Sequence, residues 1–181
     1  MLGHCVGIAA AALAPQLSCV AKLEDRRQSS EMSDAIRMGG GCACGRVRFE
    51  ASVEPDEAYL CHCRMCQRAT GSVSIAFVNA KLDEMSWIGE PDWYDSSPIA
   101  KRPFCSLCGT SLGFMFTQDA DKLDLTVAAF DDPSPFKPKH HFGTESLHRA
   151  WLNTEGLPEY RTDQYQKLVD KWVAATGKIP D

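Results

Sequence analysis

The stretch CHCRMC, residues 61–66, puts three thiols and an imidazole into six positions. Along an extended strand, side chains alternate between faces, so Cys61 and Cys63 point one way and His62 the other. A turn after Cys63 brings Cys66 back to the same point. Three thiolates converging without a fourth form the layout of a metal centre that keeps one position open. His62 as a fourth ligand is sterically awkward, because ligands flank it on both sides.

Two further thiol groups lie outward along the chain, CACG at 42–45 and CSLCG at 105–109. Both end in Cys-Gly. Glycine after a ligating cysteine lets the backbone turn with positive φ, so that amide N–H groups point at sulfur. Cys42, Cys44, Cys105 and Cys108 together supply the four thiolates of a closed structural zinc site. The inner trio Cys61, Cys63 and Cys66 is then the candidate catalytic zinc site, giving two zinc ions per chain. A disulfide framework fits poorly with seven thiols and a reducing compartment. A redox Cys-x-x-Cys normally opens a helix in a thioredoxin-like βαβ unit, and the flanks here do not read that way.

The chain has 181 residues, 44% of them hydrophobic, and a net charge of -5. Its length suits one domain with an ordinary core. The negative charge argues against nucleic-acid or membrane-surface partners. No apolar run approaches the ~20 residues of a membrane span. Residues 1–31 differ in composition, Ala-rich and apolar before a charged run. No Lys or Arg precedes the apolar run, as an export signal requires. The segment therefore reads as a disordered or mis-annotated extension, with Met32 as the natural start. Cys5, Cys19 and His4 carry no role on this reading, and the expected location is cytoplasmic.

Alternating segments surround the thiols: RVRFEASV (46–53), SIAFVNA (74–80) and LDLTVAAF (123–130) read as strands. Residues 84–96 read as strand, turn, strand, and TSLGFMF (110–116) as a short apolar run. Near the end, Tyr165, Leu168, Val169, Trp172 and Val173 form one helical face, with Thr162 as a cap, Gly177 as a stop, and packing on the domain expected. The expected fold is mostly β, a domain over 38–160 of zinc-stapled twisted sheets, followed by a C-terminal helix and tail at 161–181.

The stretches GGCACGRVRFEA, CHCRMCQRATGS, FCSLCGTSLGF, FDDPSPFKPKHHFGTES and AWLNTEGLPEY together resemble the glutathione-dependent formaldehyde-activating (Gfa) and centromere protein V family. The resemblance runs from about Gly39 to Tyr160. It implies an Mss4-like, β-tent architecture and the same division of thiols between a structural and a catalytic zinc. It also implies a carbon–sulfur lyase that adds a small thiol such as glutathione to an aldehyde such as formaldehyde, resembling S-(hydroxymethyl)glutathione synthase.

A zinc held by three thiolates still accepts a soft fourth ligand, and a coordinated thiol is deprotonated. Activation of water is the competing use, disfavoured because three thiolates make a weak Lewis acid. Arg64 and Arg68 are the candidate carboxylate clamps, with Arg46, Arg48, Lys101 and Arg102 as further cations. Thr70 and Ser72 are candidate donors to a substrate oxygen. His141 falls where the family pattern carries a histidine, and is the candidate proton shuttle. Two alternatives stay open: a non-catalytic zinc-stabilised binding module, and a lyase acting on a different thiol or aldehyde.

Overall fold

A computed structural model describes residues 35–179, so the readings of residues 1–31 lie outside the described residues. The chain runs through β1 (Ile36–Gly41), β2 (Arg48–Val53), β3 (Tyr59–Cys61), α1 (Arg64–Thr70), β4 (Ile75–Lys81) and β5 (Met85–Ile88). It continues through β6 (Asp92–Ser97), β7 (Ala100–Phe104), β8 (Gly113–Phe116), β9 (Lys122–Thr126), β10 (His140–Phe142), α2 (Arg149–Leu152) and α3 (Gln166–Thr176). The architecture is mostly β, in two sheets. One has the order β1-β2-β5, and the other β10-β3-β4-β9-β8-β7-β6. Every pairing is antiparallel except that of β10 with β3, which is parallel.

Strand alternation divides the large sheet into two chemically different faces. From β4 and β9, Val78, Ala80, Leu123 and Leu125 point inward and pack with Phe49, Ala51 and Val53 of β2. Phe49 meets Trp87 and Phe130 edge-on, with ring centroids 5.8 and 5.0 Å away. Such contacts add about 0.5–1.5 kcal/mol each to the burial itself. The residues between them, Phe77, Asn79, Lys81, Lys122 and Asp124, take the opposite face. Register keeps that face continuous across strands: Tyr59 lies opposite Phe77, and Asp124 opposite both Asn79 and Phe114.

Several local expectations are revised. The turn expected after Cys63 is a helix, α1, lying between antiparallel β3 and β4 rather than in a βαβ unit. Residues 84–96 do form strand, turn and strand, with β5 joining β2 and β6 joining β7. At the C-terminus, Thr162 begins a short 3-10 turn, and α3 starts after Tyr165 without a side-chain cap. Gly177 does close α3, donating its amide N–H to the Val173 carbonyl at 2.8 Å. The packing expected of α3 is shallow: Leu168 and Val169 are half-buried, none of its residues is fully buried, and Tyr165, Trp172 and Val173 are exposed. Apolar periodicity specifies a helical face but not what covers it. Among the described residues, no helix is long and apolar enough to cross a membrane.

Candidate metal centres and cavity

The outer four sulfurs come from the β1–β2 turn and the loop after β7, and all lie within 4.8 Å of one another. Cys42 and Cys44 are 3.5 Å apart, and Cys44 and Cys105 are 3.7 Å apart. Four sulfurs about 2.3 Å from a zinc ion are about 3.8 Å from each other, so the set fits a tetrahedral ion. Gly45 and Gly109 have φ of 79° and 78°, the turn geometry expected after ligating cysteines. The Val47 amide donates to Cys42 Sγ at 3.3 Å, and Arg46 Nε to Cys105 Sγ at 3.4 Å. The Thr110 hydroxyl, 3.2 Å from Cys108 Sγ, holds that thiol down to about 5.

The inner trio is assembled by a strand end and a helix start. Cys61 ends β3, and Cys63 caps α1, its sulfur accepting from the Cys66 amide at 3.5 Å. One helical turn carries Cys66 back over the same spot. The three sulfurs lie within 4.8 Å of one another, with Cys61 and Cys63 3.5 Å apart. Both clusters could hold a metal ion. His62 points the other way, as alternation requires. It is wholly buried, with Nε2 2.9 Å from His141 Nδ1 and its amide donating to the Phe142 carbonyl at 2.8 Å. Burial, then the electrostatic influence of the neighbouring His141 and Arg149, depresses its pKa.

Behind the trio lies a residue whose place the sequence did not reveal. Arg102 on β7 has no exposed surface, stacks 4.9 Å over the Phe114 ring, and donates to Cys66 Sγ at 3.2 Å. A buried guanidinium requires an opposite charge nearby. The hydrogen bond from Cys61, then Arg102, brings the Cys66 thiol down to about 5, while sharing with Cys66 and burial push Cys61 up. The trio therefore carries negative charge in the form a metal binds.

The trio opens onto a cavity of about 800 Å³ over the second face of the large sheet. Tyr59, Asp124 and His140 line it beside the thiols. The His140 ring stacks on Tyr59 at 5.2 Å, and the Tyr59 hydroxyl faces the Asp124 carboxyl. Burial pushes the Asp124 carboxyl up to about 6, against the opposing pull of Tyr59, and the negative Cys66 adds to the rise. None of these three was singled out from sequence. The signal was present only as polar positions on alternating strands.

Several candidates lie elsewhere. His141 shares the face of Leu60 and His62, so His140 and Phe142 line the cavity instead. Arg64 donates to Gln67 Oε1, and Arg68 is exposed on α1. Thr70 and Ser72 donate to the carbonyls of Cys66 and Ser74, as turn residues do. None of these four lines the cavity.

Residues 37–146 match the family model described as glutathione-dependent formaldehyde-activating enzyme. The chain belongs to this family. Within the matched segment lie the seven thiols of the two clusters, the cavity strands and the His62–His141 pair. The chain is also 33% identical over 78 residues to an uncharacterized lyase of Schizosaccharomyces pombe, a match covering 43% of this chain. It spans 57% of the length of that relative. A crystal structure of a Rhodobacter sphaeroides protein aligns with a TM-score of 0.48 at 22% identity, covering 57% of this chain and 99% of that one.

Proposed function

We propose that the protein is a zinc-dependent carbon–sulfur lyase of the Gfa type, joining a small thiol to an aldehyde, or reversing that addition. The observation that carries the reading is a three-thiol cluster at the floor of a cavity, set apart from a four-thiol cluster beyond it. The outer four would hold a structural zinc, and Cys61, Cys63 and Cys66 a second one. That second ion would supply a soft site at which an incoming thiol loses its proton and is held as thiolate.

The chain's own residues supply the remainder. In the addition, a sulfur–carbon bond forms, the carbonyl π bond breaks, and the oxygen takes up a proton. Asp124, half-buried beside the trio with its carboxyl raised to about 6, is the group positioned to give that proton and to take it back in reverse. Tyr59 orients the carboxyl, and His140 stacks on Tyr59. Arg102 offsets the charge of the thiolates from behind. His141 holds His62, and with it the backbone between Cys61 and Cys63. Glutathione and formaldehyde are the pair that the family description supplies.

Metal analysis of the reduced, folded protein is expected to give two zinc ions per chain. One or none removes the two-site basis of the reading. With both zinc ions bound, the protein is expected to accelerate exchange between formaldehyde and its adduct with at least one thiol of a chemically varied panel, followed by NMR line broadening. No acceleration with any thiol of the panel would return both clusters to purely structural roles.

A further inference from the structure

The cavity's rim differs from its floor. Four large apolar side chains line it while remaining well exposed: Met65 at 46%, Ile99 at 59%, Phe116 at 54% and Phe142 at 60%. They come from α1, the β6–β7 turn, β8 and β10, so the chain brings them together from four separate segments. Phe77 and Phe114 continue the apolar wall down towards the thiols. An apolar rim exposed around a polar, metal-binding floor marks a site for a ligand with apolar bulk.

The charged part of the lining points the same way. Glutathione carries two carboxylates, one ammonium and no apolar group, so it needs convergent cations. Among the described residues, no arginine lines the cavity. Of the two lysines that do, Lys81 is engaged by Glu84 at 2.8 Å, and Lys122 lies beside Asp124. Glu54 and Glu57 also line the wall, with Glu57 held by Lys139. A dicarboxylate thiol would meet four carboxylates there, Glu54, Glu57, Glu84 and Asp124, against two lysines.

We infer that the thiol handled at this site carries an apolar, aryl-sized substituent, which packs on Phe142, Phe116 and Ile99 while its sulfur reaches Cys61, Cys63 and Cys66, and that glutathione is a poor ligand of the cavity. The inference rests on the lyase reading above and specifies its substrate class. The sulfur is fixed at the floor, so its substituent is the part that must fill the space up to the rim.

The full-length protein with cobalt in place of zinc tests this, because a sulfur joining the inner trio strengthens thiolate-to-cobalt absorption. Phenylmethanethiol, 2-mercaptoethanol and glutathione are titrated in parallel. 2-Mercaptoethanol, of similar thiol acidity to phenylmethanethiol, separates acidity from apolar contact. Phenylmethanethiol is expected to half-saturate the change at a concentration at least about tenfold below either of the others, as burial of a phenyl group against the rim implies. The variants Phe142→Ala and Phe116→Ala should each weaken phenylmethanethiol several-fold more than 2-mercaptoethanol. Glutathione binding as tightly as phenylmethanethiol, or an aryl preference that both variants leave intact, overturns the inference while the lyase reading stands. No change with any thiol removes the open metal position, and both readings fall together.

Discussion

Cys108→Ser is expected to abolish the cooperative unfolding transition, whereas Cys66→Ser is expected to leave a folded protein with a single zinc, melting lower than the parent because the buried Arg102 loses its thiolate partner. Cys108 belongs to the cluster that ties the β1–β2 turn to the loop following β7, so it links the small sheet to the far side of the large one. A structural zinc contributes on the order of 10 kcal/mol to folding, comparable to the entire stability of a domain this size. Cys66 sits on α1, which retains its anchorage through Gln67: the side-chain amide donates to the carbonyls of His62 and Val73 at 2.8 and 3.1 Å. Circular dichroism melting with metal analysis separates the two outcomes. Equal loss of folding from both substitutions would mean that the inner metal is structural as well.

For Asp124→Asn the expected result is a fall in turnover on the order of 10²–10⁴-fold, with two zinc ions retained. The amide keeps the size of the carboxyl but cannot give up a proton to an aldehyde oxygen. The pH dependence carries a second signature. Donation requires the protonated acid, so the rate of addition should fall as pH rises through about 6, and that limb should vanish in the variant. The stability dependence has a definite sign too. A carboxyl whose folded pKa lies above its ordinary 3.8 binds its proton more tightly in the folded state, so its stabilising effect is present at low pH and is lost between about 4 and about 6. At neutral pH the variant should therefore melt no lower than the parent. A lower melting temperature with unchanged turnover would assign Asp124 a structural role only.

The division of thiols was legible because it rests on number and spacing, which the chain carries in one dimension. The turns at Gly45 and Gly109 were legible for the same reason: one residue type answers one backbone demand. The cavity was not. Asp124 sits between Leu123 and Leu125, and period-two alternation places it on the outward face. Alternation does not say whether outward means water or the floor of a pocket; strand order decides that, and it depends on pairings far along the chain. The choice between His140 and His141 turns on the same point. Their parity became readable only once β10 was seen to pair with β3. β7 went unrecognised because Lys101 and Arg102 read as candidate cations for a substrate carboxylate, although Arg102 and Pro103 are fully buried. A buried arginine makes sense only with its thiolate partner present, and that partner lies 36 residues away in the chain.

The two thiol clusters also differ in how much chain must exist before each can close. The inner trio falls within a single six-residue stretch. In the outer one, Cys44 and Cys105 lie 61 residues apart. Loop-closure entropy grows with the logarithm of length, so the outer ring costs about 2 kcal/mol more to close in an unfolded chain. During synthesis the inner thiols become competent for metal as soon as α1 has emerged. The outer site has only half its ligands until Cys105 and Cys108 follow, by which point seven of the ten strands have been made. A metal at the outer cluster would thus have to wait for β7, and the large sheet closes only after that, when β8 and β9 arrive to join β7 to β4.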